Sequence, residues 1–155
     1  MSAYGAILRA SASSAQLEST AWKVKPRDGD EETRYVLIFH LTLSSAPLDL
    51  VGYMHEHFAD ELERGNTYPQ EPDAGTRLSR DAFEAYFFAA DVLVGVQLSR
   101  EDLVRLGVDV HAASEADGPI PSNNVTLEDV RNKREWKDCI AGFYYVGPLY
   151  SLPLV

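Results

Sequence analysis

The chain has 155 residues, 45% of them hydrophobic, the size and composition of one globular domain rather than two domains or a disordered tail. Its formal net charge of −10 argues against nucleic acid or an anionic membrane surface as partner, since either needs a basic patch, and no run reaches the roughly eighteen apolar residues of a membrane helix. The one cysteine, Cys139, has no intrachain partner for a disulfide and points to a reducing compartment, the cytoplasm.

Residues 1–16 lack the apolar core of a secretory signal and place Arg9 after their apolar residues. They are rich in serine and free of acid up to Glu18, which leaves a mitochondrial presequence as the alternative to a strand and a polar loop. Short strands are expected over 4–10 and 20–26, followed by a charged turn over 27–32 with Asp28-Gly29 at its centre. Residues 34–43 are β-branched, aromatic and largely apolar, and their length makes them a buried strand.

Pro47 opens an amphipathic helix that runs to Arg64. Leu50, Val51, Met54, Phe58 and Leu62 recur at spacings of three and four and share one face; Asp49 suits the positive helix start, and Gly65 stands where a C-terminal cap belongs. A turn over 67–70 and a polar loop over 71–77 lead to Ser79, which caps a second helix over 80–90 whose Phe83, Tyr86, Phe87 and Ala90 line one side. Residues 91–97 form a strand, and Ser99 starts a short helix that closes at Gly107. The stretch 108–135 holds Gly, Pro, Ser, Asn and many acids; it reads as an insertion loop with one helical turn at 127–133. The last strong element is a strand over 137–146, broken by Gly147-Pro148. Strands, two helices, a strand, a long insertion and a strand make an α/β chain with a single domain over 1–155.

His55, Glu56 and His57 have the composition of a metal site, but neighbours at i and i+2 on a helix point about 200° apart, so the two imidazoles diverge. His57 and Glu61 share a face and lack a third ligand. Cys139 has no evident base beside it and reads as a core residue.

Three segments, in order, carry a resemblance. The first is Glu61-Leu62-Glu63-Arg64-Gly65-Asn66 running into Thr67-Tyr68-Pro69-Gln70. The second is Ala82-Phe83-Glu84-Ala85-Tyr86-Phe87-Phe88, and the third runs from Glu135-Trp136 to Gly142-Phe143-Tyr144-Tyr145-Val146-Gly147-Pro148. Together they resemble the N-terminal part of GNAT-type N-acetyltransferases of the fungal MPR kind, which acetylate proline analogues such as azetidine-2-carboxylate. The likeness covers roughly 30–150. Asp91 stands where that family usually has an apolar or aromatic residue, Gly147 replaces a lysine, and Ser151-Leu152-Pro153-Leu154-Val155 replaces the family's next strand.

The resemblance implies an incomplete GNAT fold, an α/β unit with a mainly antiparallel sheet and two helices after the first long strand. It implies acetyl-CoA as cosubstrate, a small amino acid or proline analogue as amine substrate, and direct transfer from thioester to amine. The acetyl-CoA pyrophosphate turn, Gln/Arg-x-x-Gly-x-Gly/Ala at a helix start, is missing from these residues, so this chain is expected neither to bind acetyl-CoA nor to act alone. The family's catalytic asparagines belong to later segments, so no catalytic residue is assigned. The alternatives are a non-catalytic interaction or regulatory module, or a shortened translation product, each lacking the cofactor half.

Thr67, Tyr68 and Pro69 are the candidate substrate-binding residues the resemblance implies, since the connection after the first GNAT helix borders the acceptor pocket; otherwise they are a turn whose tyrosine packs. Phe143 and Tyr145 alternate with Tyr144 and Val146 and are either pocket wall or core. Without a neighbouring strand beyond it, the uncharged stretch 139–146 leaves an edge of the 137–146 strand open to self-association.

Overall fold

A computed structural model describes residues 16–24, 33–65, 77–89, 91–109, 118–122 and 124–146. The strand expected over 4–10, the charged turn over 27–32, and Gly147-Pro148 lie outside them. The described residues form five strands and five helices, an α/β arrangement. They fall into two compact units: 42–65, 77–89, 91–92 and 145–146 in one, and 16–24, 33–41, 93–109, 118–122 and 124–144 in the other.

The first unit is a helix pair. Helix α1 spans Leu48–Arg64 and buries Leu50, Val51, Met54, Phe58 and Leu62, the face that the spacing of apolar residues marks out, together with His55 and Ala59. Pro47 sits extended at its start, where a missing N–H costs nothing. Gly65 ends it in the left-handed conformation at φ 67°, its N–H reaching the carbonyls of Glu61 and Leu62. Helix α2 spans Arg80–Phe87, three residues shorter than expected; Ser79 caps it by accepting the Ala82 N–H. Arg80 ties the pair together, binding Glu84 on its own helix and the Leu48 carbonyl at the head of α1.

The second unit holds the sheet. Strands β1 (Thr20–Val24), β2 (Arg34–Leu41), β3 (Asp91–Leu98), β4 (Ile120–Pro121) and β5 (Ile140–Val146) lie in the order β4-β1-β2-β3-β5. Asp91 and Val92 at the head of β3 and Tyr145 and Val146 at the tail of β5 belong to the helical unit. Strand β1 runs antiparallel to both its neighbours, with Ala21 opposite Leu37 on one side and Ile120 on the other. All three of those side chains are buried. Alternation is clear in β2, where Tyr35, Leu37, Phe39 and Leu41 are buried, and in β3, where Val92, Val94, Val96 and Leu98 are. Each such side chain contributes about 1.5–3 kcal/mol by leaving water.

Two expectations need correction. The stretch 108–135 is not simply a loop, because residues 120–122 extend the sheet along β1. Ser122 is buried, and its backbone N–H, carbonyl and hydroxyl all bond to Ser19. The two short helices fall where they were expected, α3 (Arg100–Arg105) before this stretch and α4 (Leu127–Arg131) within it. Each helix starts with a reciprocal capping box, Ser99 with Asp102 and Thr126 with Asp129.

The strand expected over 137–146 begins only at Ile140, because Trp136–Cys139 forms a short helix, α5. One turn of helix buries both Trp136 and Cys139, three apart, whereas a strand would place them on opposite faces. Arg131 stacks over the Trp136 ring at 4.2 Å and helps hold that turn.

Candidate functional site

Phe58 of α1 is the centre of an aromatic cluster in the helical unit. Its ring meets Phe83 at 5.7 Å, Tyr86 at 6.1 Å and Phe87 at 5.7 Å between centroids. Positions 83, 86 and 87 lie three and four apart on α2, so one helical face delivers all three rings. Tyr145 of β5 closes the cluster, edge-on to Tyr86 and to Phe87 at 5.1 Å each. Such edge-to-face pairs each add about 0.5–1.5 kcal/mol beyond the area they bury.

The cluster has a polar rim. Tyr86 and Tyr145 hydrogen-bond to one another through their phenol oxygens, and both residues are half-buried. His55, buried beside Phe83 at 5.6 Å, places Nε2 2.8 Å from the Leu78 carbonyl. A carbonyl only accepts, so Nε2 carries a proton. His57 is exposed and stacks on Tyr53 at 5.8 Å. The two histidines therefore diverge as their spacing requires, and no cluster of three metal-ligating side chains occurs among the described residues.

On the face of α1 turned away from Phe58, the guanidinium of Arg77 gathers three carboxylates: Glu56 at 2.7 Å, Asp60 at 2.8 Å and Glu63 at 2.9 Å. The hydrogen bond from Arg77 holds the Asp60 carboxyl below the ordinary carboxylate range, and the three acids push the guanidinium up in turn. The spacing 56, 60, 63 is visible in the sequence; the arginine that answers it, 14 positions beyond Glu63, is not.

Of the candidate residues, Thr67, Tyr68 and Pro69 lie outside the described residues, between Gly65 and Arg77. Phe143 and Tyr145 are half-buried, while Tyr144 and Val146 are 51% and 52% exposed, so the expected alternation holds over 143–146. Tyr145 joins the aromatic cluster. Its partner Tyr86 reads in the sequence only as one more residue on an apolar helix face, because nothing local signals a contact 59 positions away. Cys139 is 1% exposed, its Sγ near the carbonyls of Glu135 and Trp136. Burial pushes its thiol up despite Arg134 and Arg131 nearby, which is the setting of an inert core thiol.

The helix starts bear on anion binding. At α2, α3 and α4 the side chains of Ser79, Ser99 and Thr126 already accept first-turn N–H groups. At α1 the Asp49 carboxylate accepts the Leu50 N–H and sets a negative charge where a phosphate would have to lie. No glycine-rich turn precedes any of them, so these helix starts do not fit the pyrophosphate of acetyl-CoA. No helix among the described residues is long and apolar enough to cross a membrane. No protein-family model and no curated protein matches this sequence.

Proposed function

We propose that this chain is the acceptor-side portion of a GNAT-type N-acetyltransferase fold of the fungal MPR kind, handling a small amino acid or proline analogue. The observation that carries this reading is the Tyr86–Tyr145 pair, which joins two of the three segments in which the resemblance was found. The element order agrees with it: α1 and α2 follow the long strand β2 and lead to β3, its neighbour in the sheet.

Chemically, the pair sets two phenol groups side by side at the rim of an apolar cluster. Between them they hold two donors and several lone pairs, and their mutual bond uses one of each. That combination suits the polar end of a small amino acid whose ring lies against aromatic edges. The chain's contribution to transfer is orientation of the amine. The helix starts support the further reading that the 155 residues alone bind no acetyl-CoA.

The test has two parts. Titration with L-proline and L-azetidine-2-carboxylate, followed by the tyrosine ring resonances, is expected to shift Tyr86 and Tyr145 saturably; unmoved resonances at high millimolar ligand overturn the acceptor site. Calorimetric titration with acetyl-CoA is expected to give no saturable heat, and one-to-one binding overturns the second part. The occupied helix starts also favour a second reading, a non-catalytic interaction module. Unmoved tyrosine resonances together with no acetyl-CoA heat favour that module over the acceptor site.

A further inference from the structure

We propose that Tyr86 and Tyr145 form a site of oxidative phenol coupling, at which a one-electron oxidant joins α2 to β5 through a carbon–carbon bond between the two rings. Phenol coupling requires two tyrosyl radicals whose ortho carbons meet before either radical is quenched. The ortho carbon is bonded to the carbon that bears the oxygen, so hydrogen-bonded phenol oxygens bring ortho carbons of the two rings close together. The ring centroids stand 5.1 Å apart at an interplanar angle of 71°. Phe87 packs on Tyr145 and Phe58 on Tyr86, which restrains both rings near this geometry. A preorganised pair reacts as if at very high local concentration, whereas pairs on separate chains must meet by diffusion. A net charge of −10 slows that encounter at low salt.

The step balances as follows. Each tyrosine gives one electron to the oxidant and one phenolic proton to water, for which half-burial leaves a path. The two radicals form one C–C bond. The hydrogen on each newly bonded carbon then moves, through solvent, to the oxygen of its own ring, which restores both phenols. The net change is loss of two protons and two electrons, the electrons taken by a haem peroxidase acting with hydrogen peroxide or by photogenerated ruthenium(III) with persulfate. The bond would fix the end of β5 to α2. The proposal rests on this geometry alone and stands apart from the acetyltransferase reading.

The chain has eight tyrosines, so selectivity decides the matter. Tyr144 is the sharpest control, since it is next in sequence to Tyr145 yet points outward at 51% exposure. The full chain at low concentration and low salt is illuminated briefly with ruthenium tris-bipyridyl and persulfate, and in parallel treated with a haem peroxidase and peroxide. The expected product keeps the monomer mass less two hydrogens, gains dityrosine fluorescence, and yields a tryptic cross-link that fragmentation assigns to Tyr86 and Tyr145. Tyr86→Phe and Tyr145→Phe should each abolish that peptide, and Tyr144→Phe should leave it. A cross-link through Tyr144, products that only join separate chains, or no dityrosine in the wild-type monomer would overturn the proposal. The wild-type peptide map reads this without any variant having to fold.

Discussion

Gly95 of β3 lies so close to Val36 of β2 that a Cβ at position 95 would stand 2.9 Å from the valine Cγ1. On its other side the same atom would meet the Gly142 carbonyl at 3.7 Å and the Ala141 Cβ at 3.9 Å, both on β5. Strand β3, flanked by β2 and β5, therefore carries a glycine where a side chain would strike a β-branched neighbour with little rotamer freedom. Gly95→Ala gains about 0.5–1 kcal/mol from chain entropy but incurs about 1–3 kcal/mol of overpacking. A net loss of about 1–2 kcal/mol in urea unfolding is expected. In a Val36→Ala background the same change should become neutral or stabilising, and equal costs in both backgrounds would refute the contact.

The Arg77 clamp should show itself in acid titration. Asp60 has a folded-state pKa held down by Arg77, so its contribution to stability is present above the ordinary carboxylate range and is lost as pH falls through the folded value. Arg77→Gln should bring the Asp60 carboxyl resonance back toward the ordinary titration of about pH 3.9. The stability gap between wild type and variant should close as pH drops below about 4, and should narrow with salt at neutral pH. An Asp60 titration unmoved by the substitution would show that the ion network does not persist in solution.

The capping box of α3 gives a third expectation. Burial raises the Asp102 carboxyl, but the backbone N–H and hydroxyl of Ser99 and the guanidinium of Arg105 outweigh it, and the net shift is downward. Ser99→Ala removes the acceptor for the Asp102 N–H and one donor to its carboxylate. A loss of about 1 kcal/mol is expected, with the Asp102 titration moving up. A stability change near zero by thermal or urea unfolding would mean that α3 is held by Leu103 burial alone.

The place of β5 at the end of the sheet order makes self-association the fourth expectation. Residues 139–146 carry no charge and no proline, the composition that favours strand-to-strand pairing along an edge. Net charge opposes approach at long range, and salt screens it beyond about 8–10 Å. Sedimentation velocity should show growing association as salt rises. Ala141→Lys, a charge placed at an exposed position of β5, should suppress it; a sharp monomer at every salt concentration would leave the edge without that role.

Local rules determined much of this chain from its sequence alone. The apolar spacing in α1, the glycine at 65, the cap at Ser79 and the alternation in β2 each follow from a few neighbouring residues, and the structure agrees to within a few residues at the ends. What depended on distant partners was not legible. Two residues at 120–121 hold too little pattern to announce a strand, and they become one only because Ala21 and Ser19 supply an edge to pair with. Residues 137–139 read as the head of a strand, but burying Trp136 and Cys139 together required a helical turn. The candidate site divides the same way. Tyr145 stood out through alternation within its strand, whereas its bond to Tyr86 and the arginine that gathers Glu56, Asp60 and Glu63 exist only once the chain has folded back on itself. Periodicity reports which side of an element is apolar; the partner that meets that side is set by tertiary packing, which no window of sequence contains.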